Sequence, residues 1–328
     1  MIVVTGGAGF IGSNLVAALA ARGRHDLVVC DHLGSEDKWR NLAKRELRDL
    51  IPPSALLPWL EAAGDRVEAL VHLGAISATS AADGDEVVST NFHLSTRLWS
   101  WCARHRVRLI YASSAATYGD GRQGFEDDNA LEALARLQPL NLYGWSKHLF
   151  DRWVLRNIAS AAVTPPQWAG LKFFNVYGPN EYHKGDMRSA IAKQVDAVRA
   201  GQPMRLFASD RADIANGEQS RDFVWVGDAV DVVLWLLDQP KVNGLFNVGS
   251  GRARSWNELA YAVAAACGRE SRIEYVPPPA QVRGHYQYFT EAPMRRLRDA
   301  GYAKPFTSLE DGISRYVQGY LLAADPYA

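Results

Sequence analysis

The 328-residue sequence has only three cysteines, Cys30, Cys102 and Cys267, odd in number and far apart. Neither a disulfide framework nor a Cys-x-x-Cys metal site reads from them, so a reducing cytoplasm and no metal are expected. It has no excess of either charge, 36 Lys and Arg against 36 Asp and Glu. That leaves no net field to gather nucleic acid or anionic lipid. No apolar run approaches about 18 residues, and Ile2-Val3-Val4 enters a strand pattern with no basic leader before it, which argues against membrane spanning and export. Internal repeats, low-complexity tracts and long linkers are also missing. What is present, 48% hydrophobic and 22% charged residues, is a composition for one large core or two smaller ones.

Short apolar runs at 2–5, 27–31, 69–73, 108–112 and 171–174 alternate with stretches long enough for crossover helices. That rhythm predicts βαβ units and a parallel sheet, the α/β class. Beyond Asn175 it loosens into a Gly/Pro/Asp-punctuated region with helix candidates at 228–238 and from Ser308. A first domain over 1–174 is expected, with the stretches 223–237 and 245–248, about 222–248 in all, returning to the main sheet. Residues 175–328 are expected to form a second, smaller, discontinuous lobe.

Thr5-Gly6-Gly7-Ala8-Gly9-Phe10-Ile11-Gly12 follows the first strand and opens an apolar-periodic stretch over 10–19. Gly7, Gly9 and Gly12 satisfy G-x-G-x-x-G, and Gly6, Gly9 and Gly12 the looser G-x-x-G-x-x-G. Either reading puts residues without a Cβ where the chain turns sharply beside a pyrophosphate at a helix N-terminus. The strand before, the helix after and the acidic Asp31 ending the next strand supply the context that the string alone lacks. Asp31 suits an adenosine ribose and so NAD, whereas Lys38 and Arg40 suit a 2′-phosphate and so NADP, unless they are merely solvated loop charges.

Tyr143 and Lys147 are four apart on a helix read over 141–158 and share a face. A phenol of pKa about 10 is a poor base, but a neighbouring ammonium favours its phenolate, which then takes a proton from a hydroxyl. Upstream, Ser113 and Ser114 stand at the carboxyl end of a strand, where ligands sit in open parallel sheets. Taken singly, Ser114 reads as a loop cap and Tyr143 with Lys147 as a surface pair; the three in this order behind a glycine turn read as one site.

With these motifs the chain resembles, nearly end to end, the extended short-chain dehydrogenase/reductase family. His72-Leu73-Gly74-Ala75, Asn91, Phe173-Phe174-Asn175-Val176-Tyr177-Gly178-Pro179, Ser220-Arg221-Asp222-Phe223 and Phe246-Asn247-Val248-Gly249 extend the match. The resemblance implies a Rossmann doubly wound parallel sheet as a dinucleotide-binding domain over 1–174, a smaller, mixed α/β C-terminal substrate lobe over 175–328, and Ser114, Tyr143 and Lys147 acting on a sugar nucleotide. It places a cofactor, NADP ahead of NAD, against Gly6, Gly9, Phe10, Ile11, Gly12, Asp31, His32, Lys38, Leu73, Gly74, Ala75, Asn91, Lys147 and Val176. Substrate contacts are implied at Asn175, Asp186, Lys193, Phe207, Arg221 and Tyr286, with Arg221 a bidentate partner for a diphosphate unless it pairs with Asp222. A cytoplasmic homo-oligomer is implied as well.

Within the family, Tyr111-Ala112-Ser113-Ser114-Ala115-Ala116-Thr117, Asn180-Glu181-Tyr182-His183-Lys184-Gly185-Asp186-Met187 and Gly284-His285-Tyr286-Gln287 resemble the branch that inverts C6 of an ADP-linked heptose for lipopolysaccharide core synthesis. The resemblance makes Lys184, otherwise a solvated loop charge, a second acid/base group beside Tyr143. The chain departs from common family choices at His32, Leu73 and Lys193. Other readings are a UDP-, GDP- or dTDP-hexose epimerase or dehydratase, or a catalytically idle cofactor-binding scaffold. Ala115-Ala116-Thr117 after Ser114, where dehydratases usually place acids, speaks against dehydration.

Overall fold

Four-residue runs such as Ile2-Val3-Val4-Thr5 form strands because both faces are buried. Each Val, Leu or Ile removed from water contributes about 1.5–3 kcal/mol, more than any propensity difference of roughly 0.7 kcal/mol per residue. The computed structural model of the chain describes residues 1–279 and 287–328. In chain order the strands are β1 (Ile2–Thr5), β2 (Leu27–Cys30), β3 (Asp49–Ile51), β4 (Ala69–His72), β5 (Arg108–Ser114), β6 (Trp168–Phe173), β7 (Asn175–Tyr177), β8 (Met204–Phe207), β9 (Ser220–Trp225), β10 (Gly244–Val248), β11 (Ala253–Ser255) and β12 (Ile273–Val276).

Seven of them make one parallel sheet in the order β10-β6-β5-β4-β1-β2-β3. Its side chains alternate between two cores. Val4, Val29, Val71, Ile110 and Phe246 face the helices Phe10–Ala21 and Val226–Asp238. Val3, Val28, Leu70, Leu109 and Leu245 face the helices Leu56–Ala63, Leu94–His105 and Leu142–Ala159. This is the Rossmann arrangement, helices on both faces of a parallel sheet, and the strand order reverses between β1 and β4, which opens a crevice at their carboxyl ends. A three-stranded sheet, β11-β9-β7, and a two-stranded one, β12-β8, build the far side of that crevice.

Residues 223–237 differ from the sequence reading. They end β9, which pairs with β7 and β11 in the small sheet, and then form the Val226–Asp238 helix, so of the two stretches only 245–248 enters the main sheet. β3 carries no sequence signature because it is a three-residue edge strand that begins with a charge. Tyr286 lies outside the described residues.

Candidate active site

A cleft of about 850 Å³ runs along the carboxyl ends of the main sheet and over the smaller sheets. At one end lies the glycine turn. Gly6 has φ +66°, and a Cβ there would stand 2.6 Å from the Gly74 nitrogen; a Cβ on Gly12 would stand 2.1 Å from the Gly6 carbonyl oxygen. Backbone therefore occupies the space that side chains would need. The helix that follows starts at Phe10 with neither a side-chain cap nor an acidic residue in its first turn. Its amides are left to meet an anion, so the turn fits the pyrophosphate of a dinucleotide.

Asp31, just past β2, accepts hydrogen bonds from the Ala8 amide at 2.9 Å and from the Lys38 ammonium at 2.6 Å. Both side chains line the cleft. His32 meets this corner with its backbone alone, its amide donating to Asp31 and its carbonyl accepting from Lys38. Arg40 is directed away, 3.4 Å from Asp37 and stacked over the Tyr327 ring. Phe10, Ile11, Leu73, Gly74, Ala75 and Val176 all line the cleft.

Asn91 does not line it. Its side chain is buried, exchanges two hydrogen bonds with the backbone of Ile76 and donates to Ser146 Oγ at 3.0 Å. It braces the 73–76 loop against the helix that carries Tyr143, which makes it a positioning residue rather than a direct contact. Beneath that loop His72 bridges Thr5 Oγ1 at 2.6 Å and Ser95 Oγ at 2.9 Å, and burial pushes its pKa down to about 3. His148 and His183 are likewise pushed down to about 4, mainly by burial. All three stay neutral in the folded chain but protonate near 6.5 when unfolded. The unfolded state thus binds more protons, and their stabilisation is complete above about pH 6.5 and drains away on acidification. The melting temperature is expected to fall steadily between pH 7 and pH 5, less steeply in His72→Gln; a flat profile in scanning calorimetry over that interval would remove this origin of acid sensitivity.

Ser114 ends β5, and its hydroxyl caps the following turn by accepting from the Ala116 amide at 3.1 Å. The Leu142–Ala159 helix begins on an Asn141 side chain that accepts from the Gly144 amide at 2.8 Å. A Cβ at Gly144 would lie 2.6 Å from the Ala116 carbonyl oxygen, so the glycine lets the helix seat directly on the turn after Ser114. That contact brings Tyr143 to Ser114. Burial raises the phenol's pKa, the hydrogen bond with Ser114 opposes it, and the Asp151 carboxylate adds to the rise. Lys147, one helical turn on, is pushed down to about 8 by burial, with Asp151 holding it up.

From the 182–187 turn, Lys184 also lines the cleft and lies 5.0 Å over the Phe10 ring, and burial lowers its pKa while Glu181 opposes the fall. Its loop is pinned by Glu181, which accepts from the Ser189 amide and hydroxyl and from Tyr316. A further bond joins Asn41 to His183.

Asn175, Lys193, Phe207 and Arg221 also line the cleft. Asp186 does not; its carbonyl only receives the Lys193 ammonium. Asp222 is no partner to Arg221, because its carboxylate is filled by Ser250, Gly251 and Ala292. Residues missed in the sequence include His183, Arg188, Gln194 and Arg205, which stand on separate elements and share no spacing. Among the described lining residues, Lys38, Lys147, Lys184, Arg188, Lys193, Arg205 and Arg221 face a single carboxylate, Asp31. A chain with no net charge has gathered cations along one cleft, which favours an anionic ligand there.

The model of the NAD dependent epimerase/dehydratase family matches residues 2–249. An ADP-L-glycero-D-manno-heptose-6-epimerase of Nitratidesulfovibrio vulgaris (strain DP4) is 50% identical over 335 residues, covering 100% of both chains. The crystal structure of the Helicobacter pylori ADP-L-glycero-D-manno-heptose-6-epimerase superposes with TM-score 0.78 at 27% identity, covering 97% of this chain and 95% of that one. A Thermus thermophilus UDP-glucose 4-epimerase in complex with NAD superposes with TM-score 0.72 at 25% identity over 97% of each chain.

Proposed function

We infer, for a chain that belongs to the NAD dependent epimerase/dehydratase family, that it is an ADP-L-glycero-D-manno-heptose 6-epimerase serving lipopolysaccharide core synthesis. The observation that carries the heptose reading over a one-base epimerase is Lys184: a lysine depressed by burial lines the same cleft as Tyr143, on another wall.

The glycine turn, Asp31, Lys38 and the 73–75 loop would hold a nicotinamide dinucleotide, with Lys147 at its nicotinamide ribose, and the group so held would supply the hydride acceptor and donor for C6. Tyr143, bonded to Ser114, takes the C6 hydroxyl proton as the carbon is oxidised. Lys147 stays protonated beside it and stabilises the phenolate. Once the C6 carbonyl has turned about its bond to the ring, Lys184 or Tyr143 returns the proton. Arg221, with Lys193 and Arg205, holds the substrate diphosphate, and Asn175 and Phe207 flank the sugar. A dehydratase is disfavoured because the lone carboxylate among the described lining residues, Asp31, belongs to the cofactor's ribose end.

NADP is favoured over NAD on the Lys38–Asp31 pair, whose ammonium offsets the carboxylate against a 2′-phosphate. A hydrogen bond to a charged group is worth about 1.5–3 kcal/mol, so Lys38→Ala should weaken NADP binding roughly ten- to a hundredfold and spare NAD. Competitive fluorescence titration measures this; a preference for NAD that Lys38→Ala leaves unchanged would reverse the assignment. The first domain, residues 1–174 with strand β10, serves the cofactor, and the rest serves the sugar. No helix among the described residues is long and apolar enough to cross a membrane. A cytoplasmic homo-oligomer is the setting we favour. Separate incubations with ADP-heptose, UDP-glucose and dTDP-glucose test the function, turnover being expected with the first alone; turnover of either hexose instead would move the assignment to that sugar.

A further inference from the structure

Below the catalytic helix lies a buried ion pair that takes no part in the steps above. Asp151 follows Lys147 by four residues, so Tyr143, Lys147 and Asp151 share one face of the Leu142–Ala159 helix. Its Oδ2 receives Ser113 Oγ at 2.7 Å and Lys172 Nζ at 2.8 Å, and its Oδ1 receives the Tyr111 hydroxyl at 3.1 Å. Both side chains of the Asp151–Lys172 pair are 0% exposed. Lys172, on β6, also donates to Thr117 Oγ1 at 2.8 Å and lies 4.9 Å over the Tyr118 ring. Thr117 in turn donates to the Ser114 carbonyl at 2.8 Å.

One carboxylate thus ties the helix bearing Tyr143 and Lys147 to the strand end bearing Ser114, by a direct bond to Ser113 and by a relay through Lys172 and Thr117. A buried ion pair is a costly fastener, since apolar residues of similar volume often hold a core as well or better. Its use next to the reacting groups calls for a role that apolar packing lacks.

We propose that Asp151, held by Lys172, is a positioning residue for the Ser114–Tyr143–Lys147 chemistry, fixing the register of helix against strand and supplying a negative charge beneath Tyr143 and Lys147. This rests on the reading of those three as the reacting set. The titratable and charged groups facing the cluster are Tyr143, Lys147, His148 and Arg152 from the same helix, Tyr111 from β5, Tyr118 from the turn after it, Lys172 from β6 and His72 from β4. Asp151 favours the proton on both Tyr143 and Lys147, so removing its charge lowers both together.

The test compares wild type with Asp151→Asn and with the double variant Asp151→Asn/Lys172→Met, which leaves no unpaired buried charge and keeps the comparison open where the single variant folds poorly. Two readouts are used: the pH profile of kcat for the epimerisation, and the phenolate absorbance titration of Tyr143, taken as the difference from a matching Tyr143→Phe protein. In Asp151→Asn the acid and alkaline limbs of kcat should move together toward lower pH by roughly one unit, and the phenol titration should move the same way. The double variant should melt above the single one and show a smaller shift, because the Lys172 cation leaves with the carboxylate, while kcat still falls for want of the ionic tie between helix and strand. A folded Asp151→Asn protein whose limbs and phenol titration coincide with wild type, or a folded double variant with wild-type kcat, would overturn the proposal. A wild type that turns over no heptose, with the phenol titration still moving, would instead overturn the functional reading and leave the electrostatic role of Asp151 standing.

Discussion

Tyr143→Phe and Lys184→Met are each expected to slow epimerisation by about 10²–10⁴-fold, the range general acid/base groups contribute. Both substitutions keep the packing. Phenylalanine retains the half-buried ring beneath the cleft, and methionine retains an unbranched stem over Phe10, where the Lys184 ammonium now lies at 5.0 Å. What is lost is the proton carrier on one wall or the other. ADP-heptose should still bind to each variant, because Arg221, Lys193 and Arg205 remain to hold the diphosphate. Lys147→Met differs: without its ammonium the phenolate of Tyr143 rises in energy and the nicotinamide ribose loosens, so cofactor affinity should fall along with turnover. Single-turnover product analysis with calorimetric binding separates these cases. Near-wild-type epimerisation by Lys184→Met would remove the reason for a two-group active site.

The second large effect concerns the glycine turn, where two substitutions should fail for different reasons. Gly12→Ala should abolish cofactor binding and destabilise the fold by about 1–3 kcal/mol, because its Cβ would stand 2.1 Å from the Gly6 carbonyl oxygen, and backbone on both sides cannot give way. Gly9 is different. Its Cβ direction meets the Gly6 carbonyl at 3.1 Å and nothing else closer than 4.0 Å, so the protein itself nearly tolerates a side chain there. Gly9→Val should therefore melt close to wild type while losing the dinucleotide, since what its side chain crowds is the pyrophosphate. Calorimetry and cofactor fluorescence on both variants check the pair. Unchanged cofactor affinity in Gly9→Val would mean that the pyrophosphate lies elsewhere.

Local chemistry was legible in the sequence where function requires a fixed spacing. The glycine turn, Asp31 at a strand end, Ser114 at another, and Tyr143 with Lys147 on one helical turn all line the cleft. The Asn141 cap lies at the start of the helix read over 141–158, one residue before its first turn. Three kinds of feature escaped. β3 lacks an apolar run, and β9 looks like a main-sheet strand because both its faces are buried in a different sheet. Side chains that meet only through the fold, such as Asp151 with Lys172 at a separation of 21 residues or Asn41 with His183 across 142, leave no periodic trace. Polar residues also cannot be sorted by sequence into those that face a ligand and those that brace the wall: Asn91, Asp186 and His32 stand at family positions, yet Asn91 is a buried brace, and Asp186 and His32 meet their neighbours through backbone atoms.

Inversion at C6, a single exocyclic carbon, is read directly by proton NMR of the sugar. Wild-type protein with ADP-D-glycero-D-manno-heptose and a catalytic quantity of NADP is expected to yield a mixture of the two C6 epimers, with every ring centre unchanged and the cofactor not consumed, because hydride and proton return within each turnover. A substrate that keeps one C6 configuration while the same protein inverts a ring carbon of UDP-glucose would rule out heptose C6 as the site of inversion.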